Sequence, residues 1–234
     1  MINPSPKEAQ TREFRYERKF YIEELDAAQV QMLVKRHPSI FYAPYPPRYI
    51  NNLYLDTVDM ENYHDNMAGA ADRHKVRIRW YGELLGEIKK PILEFKVKKG
   101  LVGGKYSYPF PAFSMDAAFN HDDFQKLIMQ SDLPTAVRWH LRDLNVVLCN
   151  RYYRWYYATR DQKYRVTIDN EMTYFQVKRT HNYFRHKYVD PKAIVVELKY
   201  ARELDPKANK VASFFPFRTT RNSKYMTGIE QVYL

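Results

Sequence analysis

The sequence predicts an α+β fold dominated by strands, and three observations carry that reading. Five segments alternate charged with apolar residues at the period of a β-strand. Two stretches repeat apolar residues at helical spacing. No linker, internal repeat or low-complexity tract divides the 234 residues, a length that suits one large domain.

The clearest strand is KVRIRWYG, residues 75–82, with Lys75, Arg77 and Arg79 on one face and Val76, Ile78 and Trp80 on the other. Charges at alternate positions stand about 7 Å apart along the strand. FRYERKFYI (14–22) sets Arg15, Glu17 and Lys19 against Phe14, Tyr16, Phe20 and Ile22, with a slip in phase expected around Arg18. ILEFKVKKG (92–100) sets Glu94, Lys96 and Lys98 against Leu93, Phe95 and Val97. YRVTID (164–169) sets Arg165, Thr167 and Asp169 against Val166 and Ile168, and IVVELKY (194–200) sets Glu197 and Lys199 against Val196 and Leu198. A sheet of this grammar either turns its charged face to water or closes into a barrel, polar inside and packed on helices outside. Cations lining a closed interior are unfavourable unless something negative occupies it, so the second arrangement implies a polyanionic ligand.

The remaining elements follow in order. Asp26 is placed to cap a helix running to about His37, where Pro38 stops it. FYAPYPPRY (41–49) reads as a proline-rich loop, INNLYLD (50–56) as a strand, and TVDMENYHDNMAG (57–69) as a short helical or looped excursion. His74, opposite Lys75, is expected in a turn. GLVGGKYSYPF (100–110) holds three glycines and is expected to be a flexible hairpin loop, since no G-K-[S/T] completes a phosphate loop. Helices are expected over 115–130 and 135–144, broken at Leu133 and Pro134. VVLCNRYYRWYYAT (146–159) returns to strand, its large aromatics expected on the exterior beneath helices.

A formal charge of +11 and a pI near 9.5 point to an acidic partner: nucleic acid, an anionic membrane surface or a phosphate-rich molecule. One cysteine, Cys149, rules out a disulfide framework and a cysteine zinc site. The seven histidines lack H-x-x-x-H or H-E-x-x-H spacing, which argues against a zinc hydrolase. Residues 1–12 read as a flexible arm and 13–234 as the domain. No run approaches about 18 apolar residues. The expectation is a cytoplasmic protein that meets a membrane only through a partner.

Taken in order, E-x-K (Glu17, Lys19), K-x-R-x-R (75–79), E-x-K (94–96), Y-x-R (152–154), R-x-T-x-D (165–169), E-x-K (197–199) and S-K-Y (223–225) resemble the VTC domain. That is the polyphosphate polymerase branch of the triphosphate tunnel metalloenzymes, also called CYTH. The resemblance spans about residues 14–229 and implies a closed eight-stranded antiparallel barrel with helices packed outside. Its bore would hold ATP, a triphosphate or polyphosphate with a divalent metal, Mn²⁺ or Mg²⁺, and pass the γ-phosphate of ATP to a growing chain. The wider superfamily opens with E-x-E-x-K. Here Arg15 replaces the first Glu, which resembles the polymerase branch more than the triphosphatases or the tunnel-fold adenylyl cyclases.

Phosphoryl transfer needs the donor held in line and the charge on its oxygens neutralised. Arg77, Arg79, Arg154 and Arg165 supply planar forks for phosphate, and Lys19, Lys96, Lys199 and Lys224 supply point charges. Lys75, Lys98, Tyr152 and Ser223 extend the substrate contacts. Glu197 is the first choice of metal ligand; Glu17 and Glu94 are second choices, or ion-pair partners that orient the lysines. Asp169 is expected to cap a turn or pair with an arginine. The alternatives are a metal-dependent triphosphatase and a non-catalytic polyphosphate or inositol-phosphate binding module. A nucleic-acid partner is not expected, because a closed tunnel cannot admit bases.

Overall fold

The structure, a computed structural model, describes residues 15–99 and 102–234; the arm expected over 1–12 lies outside the described residues. In chain order the first half comprises β1 (Arg15–Ile22), α1 (Ala27–Lys35), β2 (Phe41–Tyr42), β3 (Arg48–Asp56), α2 (Glu61–Met67) and β4 (Asp72–Tyr81). The middle comprises β5 (Gly86–Ile88), β6 (Ile92–Lys99), β7 (Val102–Pro109), β8 (Phe113–Met115), α3 (His121–Gln130) and α4 (Thr135–Arg142). The last part comprises β9 (Asn145–Thr159), β10 (Tyr164–Gln176), β11 (Lys187–Asp190), β12 (Ile194–Ala201), α5 (Asp205–Ser213) and α6 (Lys224–Tyr233).

The main sheet is antiparallel, in the order β1-β12-β10-β9-β3-β4-β6-β7, with β11 added to β10 and β2 to β9. β5 and β8 form a separate pair. Strands β1 and β7 do not pair with each other among the described residues, so the barrel expected to be closed is an open half-barrel. Its free β1 edge is partly covered by the segment leading into α6: Thr220 donates its N–H to the Lys19 carbonyl at 2.8 Å, and Phe20 bridges Thr219.

Local chemistry sets the helix starts. Asp26 and Gln29 form a reciprocal capping box on α1, at 2.8 and 2.9 Å. Met60, at the start of α2, has φ 56° and no side-chain cap; the Asp56 carboxylate accepts from the Asn62 and Tyr63 amides instead, each at 2.9 Å. Ser223 caps α6.

The alternation in the sequence divides the core in two outside the sheet. Leu53, Val76, Ile78, Leu93 and Phe95 pack on Phe124 and Ile128 of α3 and Val137 and Leu141 of α4. Phe20, Val166, Ile168, Val196 and Leu198 pack on Val30 and Val34 of α1 and Ala208 and Val211 of α5. A third cluster sits on the concave side, where Tyr225, Ile229 and Val232 of α6 meet Ile50, Leu148, Tyr152 and Tyr174. Gly228 makes that approach possible. A Cβ there would collide with Leu148 and stand 2.7 Å from the Tyr174 ring.

Several expectations change. The pairing of β1 with β12 runs from Arg15 to Ile22 without a slip; Arg18 stays on the apolar face because Tyr200 and Asp205 accept its hydrogen bonds at 2.7 and 3.3 Å. Residues 102–109 are not a loop but strand β7, paired with β6 throughout. The helix expected from 115 starts at His121, since 113–115 pair with β5. His74 lies within β4, its ring stacked on His140, rather than in a turn. Among the aromatics of β9, Tyr157 is in the exterior core, but Tyr152 belongs to the concave cluster.

Candidate active site

The charged faces of seven strands, β1, β4, β6, β7, β9, β10 and β12, converge on the concave side. Register decides which charges meet: Lys75 lies opposite Lys96, Arg77 opposite Glu94, Lys19 opposite Glu197, Glu17 opposite Lys199, and Arg154 opposite Asp169. Opposite charges across a sheet attract and like charges repel, so these pairs are favourable apart from Lys75–Lys96, and cations also face each other at Lys96–Lys105, Arg165–Lys199 and Arg48–Arg154.

Three carboxylate centres organise it. Glu94, 4% exposed, accepts from Arg77 at 2.7 Å, lies 3.6 Å from Arg79, and pairs with Lys105. Burial pushes its carboxyl up, but Arg77, Arg79 and Lys105 outweigh that and hold it well below the usual carboxylate range. Asp169, fully buried, takes a bidentate grip from Arg154 at 2.5 and 2.6 Å and a third bond from Lys224 at 2.6 Å. The third centre is the pair Glu197 and Glu17. Glu197 meets Lys199 at 2.6 Å, Lys19 at 3.5 Å and Arg154 at 3.6 Å. Glu17 meets Lys19 at 3.0 Å, Lys96 at 3.8 Å and Lys199 at 3.9 Å. Burial and Glu197 push the Glu17 carboxyl up, yet Lys199, Lys96 and Lys19 bring it down to about 2.

Cations outnumber these carboxylates, and the surplus gathers at Lys75. Its ammonium donates to Ser223 Oγ at 2.8 Å and has no acidic partner among the described residues. Burial, then Lys19, Lys96, Arg73 and Arg77, push its pKa down to about 7. Burial likewise pushes Lys105 down to about 8 despite Glu94. Glu17 raises the Lys96 pKa, but burial and the surrounding cations lower it overall. Tyr152, inside the same cage, is raised by burial and lowered further by Arg154 and Arg79, so its phenol is more acidic than usual. Such a cage is short of negative charge.

The residues expected from the sequence therefore largely come together. Lys19, Lys75, Arg77, Arg79, Lys96, Tyr152, Arg154, Lys199, Ser223 and Lys224 join one connected network with Glu17, Glu94 and Glu197. Arg165, opposite Lys199 on β10, is exposed and makes no ion pair among the described residues, and Lys98 is half-buried without one. Lys224 is not free at the bore: its ammonium is spent on Asp169 and lies 4.8 Å over the Tyr152 ring.

Sequence reasoning missed Lys105, because a glycine-rich segment was read as a loop; the alternation Lys105, Ser107 was its signal. It also missed Asn52, which accepts from Arg79 Nε at 3.0 Å and donates to Asn150 at 2.8 Å. Its signal was its place on the same strand face as Tyr54.

Among the described residues no three metal-ligating side chains gather. Glu17 and Glu197 share Lys19 and Lys199. Mg²⁺ and ions like it are commonly held by one or two carboxylates plus substrate phosphates, so this pair fits an ion that arrives with its phosphate. Glu94, like Glu17 and Glu197, meets three cations, but it shares none of them with a second carboxylate among the described residues, and so fits an ion-pair partner instead.

A family model described as "VTC domain" matches residues 14–233. No curated protein sequence matches the chain. Among solved structures, a candidate adenylate cyclase from Bacillus halodurans is similar at 11% identity and a TM-score of 0.54, over 95% of this chain and 98% of that one. A candidate adenylate cyclase from Vibrio parahaemolyticus is similar at 12% identity and a TM-score of 0.51, over 92% and 98%. At these identities the likeness is one of fold.

Proposed function

We propose, from the premise that the chain belongs to the VTC domain family, that it is a phosphotransferase passing the γ-phosphate of ATP to the end of a polyphosphate chain. The observation that carries this reading is the surplus of cations around Lys75, which extends the cradle beyond Arg77, Arg79 and Arg154 toward Lys96 and Ser223. Donor and acceptor phosphates need more positive charge than one triphosphate.

In this reading Arg77 and Arg79, oriented by Glu94 and Asn52, grip the donor phosphates. Arg154, fixed by Asp169 through Nε and Nη2, keeps Nη1 for the transferred group. Lys224 acts through the same carboxylate. Lys75 and Ser223 hold the acceptor phosphate in line, and position contributes most of the rate in such transfers. Glu197 and Glu17 would hold a divalent ion, Mn²⁺ or Mg²⁺, which when bound neutralises charge on the phosphates. Among the described residues no helix is long and apolar enough to cross a membrane.

One observation favours the alternative of a metal-dependent triphosphatase. Tyr225, Ile229 and Val232 of α6 fill part of the concave side, which suits a pocket for a short ligand. Labelled ATP with Mn²⁺ or Mg²⁺ and a short polyphosphate primer, resolved for long chains against orthophosphate, separates the two. Long chains support the polymerase; orthophosphate alone replaces it with the hydrolase.

A further inference from the structure

On the outer face of the sheet, away from the cradle, a cavity of about 630 Å³ opens between the end of α1 and α5. Small-molecule sites commonly measure ~300–1,000 Å³. Its floor is apolar: Pro38 follows α1, Pro206 and Val211 lie on α5, and Phe214 ends that helix. Phe214 is 51% exposed, because its neighbour Phe215, 3% exposed, takes the place in the core. The wall is fixed by the buried His37, whose Nε2 donates to the Val211 carbonyl at 2.9 Å while Nδ1 accepts from the Ser39 amide at 3.0 Å. Its ring stands edge-on to Phe214 at 5.6 Å. The cavity is therefore formed without a ligand.

Four residues with polar side chains complete the lining: Ser39, Tyr164 at the start of β10, and Lys207 and Lys210 on α5. Among the described residues none of these four side chains has a hydrogen-bond or ion-pair partner. Residues three apart share a helix face, so both lysines serve one opening. The carboxylate that acts on Tyr164, Asp161, is already taken by Thr159 at 2.7 Å and Lys163 at 3.2 Å. All four side chains can donate and two carry charge, so the partner they lack is an anion. The apolar floor requires that the anion carry an apolar body. Among the described residues no arginine lines the cavity. Phosphate recognition favours guanidinium forks, as in the cradle, whereas a carboxylate suits two ammonium groups and two hydroxyls.

We propose that this cavity binds a monocarboxylate with an apolar tail, of the medium-chain fatty acid kind. The tail lies on Phe214, Val211 and the two prolines, and the head meets Lys207, Lys210, Ser39 and Tyr164. The site is separate from the cradle and does not depend on what the cradle transfers.

Calorimetric titration of the full chain with decanoate tests this, with decylammonium as the same tail under the opposite charge. Decanoate should bind saturably and decylammonium about tenfold more weakly or not at all, since hydrogen bonds to the charged head carry the difference. Lys207→Glu combined with Lys210→Glu, both exposed, should weaken decanoate by about tenfold or more. Phe214→Ser should weaken it through the tail, and carries the test if the charge reversal unfolds α5. Saturating tripolyphosphate should leave decanoate affinity unchanged. Equal affinity for decanoate and decylammonium overturns the proposal, since the lysines then select nothing. Displacement of decanoate by tripolyphosphate overturns it by placing the carboxylate in the cradle. Unchanged affinity in the variants, or no decanoate binding by the wild type, overturns it as well.

Discussion

Replacing Lys75 with Met should stabilise the ligand-free protein, by an amount that depends on pH. The ammonium has a pKa of about 7 against an ordinary 10.5, because burial and four neighbouring cations disfavour its charge. Between those values the unfolded chain binds a proton that the folded chain has lost, so the Lys75 contribution to stability rises with pH across this window. Below pH 7 both states are protonated and the cost is constant, about 5 kcal/mol at ~1.4 kcal/mol per pH unit. At pH 9 the residual cost is about 2 kcal/mol. Met keeps the length of the side chain but forfeits the bond to Ser223, worth about 1 kcal/mol. The expected gains are therefore about 4 kcal/mol at pH 6 and about 1 kcal/mol at pH 9. With ~2–4 °C per kcal/mol for a chain of this size, thermal melts should rise by roughly 10 °C at pH 6 and by only a few degrees at pH 9. A lower melting temperature at pH 6, or equal gains at both pH values, would refute the argument that Lys75 is a half-buried charge awaiting an anion.

The same charges predict that tripolyphosphate binding takes up protons near pH 8, since a bound anion restores Lys75 and Lys105 from about 7 and 8 toward their ordinary values; calorimetry in two buffers of different ionisation enthalpy measures the uptake, and affinity should fall as pH rises through this range. Glu197→Gln should reduce metal-dependent turnover by orders of magnitude while tripolyphosphate still binds, and undiminished turnover would move the metal to Glu17. Asp169→Asn leaves Arg154 and Lys224 without their buried counter-charge and should cost about 3–5 kcal/mol in urea denaturation, a loss that added tripolyphosphate should partly restore; an unchanged midpoint would mean that the two cations find other partners.

The strands and the polar face were legible because their signal is local. Alternation at period two in 75–80, 92–98 and 194–200 assigns each side chain to a face without knowledge of partners, and the structure keeps those faces. Register was not legible, since which cation meets which carboxylate depends on strands distant in sequence, as with Arg154 and Asp169 or Lys75 and Ser223. For the same reason Arg18 looked like a break in phase: its partners, Tyr200 and Asp205, are about 180 residues away. The C-terminal helix α6 escaped notice because its apolar face, Tyr225, Ile229 and Val232, is short and interrupted by Gly228, whose purpose emerges only against Leu148 and Tyr174. Residue alternation left an open sheet and a closed barrel both standing; the family resemblance implied closure, and there the expectation failed.

The gap between β1 and β7 bears on how a long anion would be retained. A ring of backbone hydrogen bonds would encircle a polymer and release it only when an end slid free. Among the described residues the backbone ring is open between β1 and β7, and the gap is spanned by side chains, as where Lys96 of β6 reaches Glu17 of β1 at 3.8 Å. A chain lying there would be kept by attraction and by such side-chain contacts, which can part to let it lift out along its length. Dwell time, and with it the number of additions per encounter, would then shorten steeply with ionic strength, as for any ligand held by a row of screened charges.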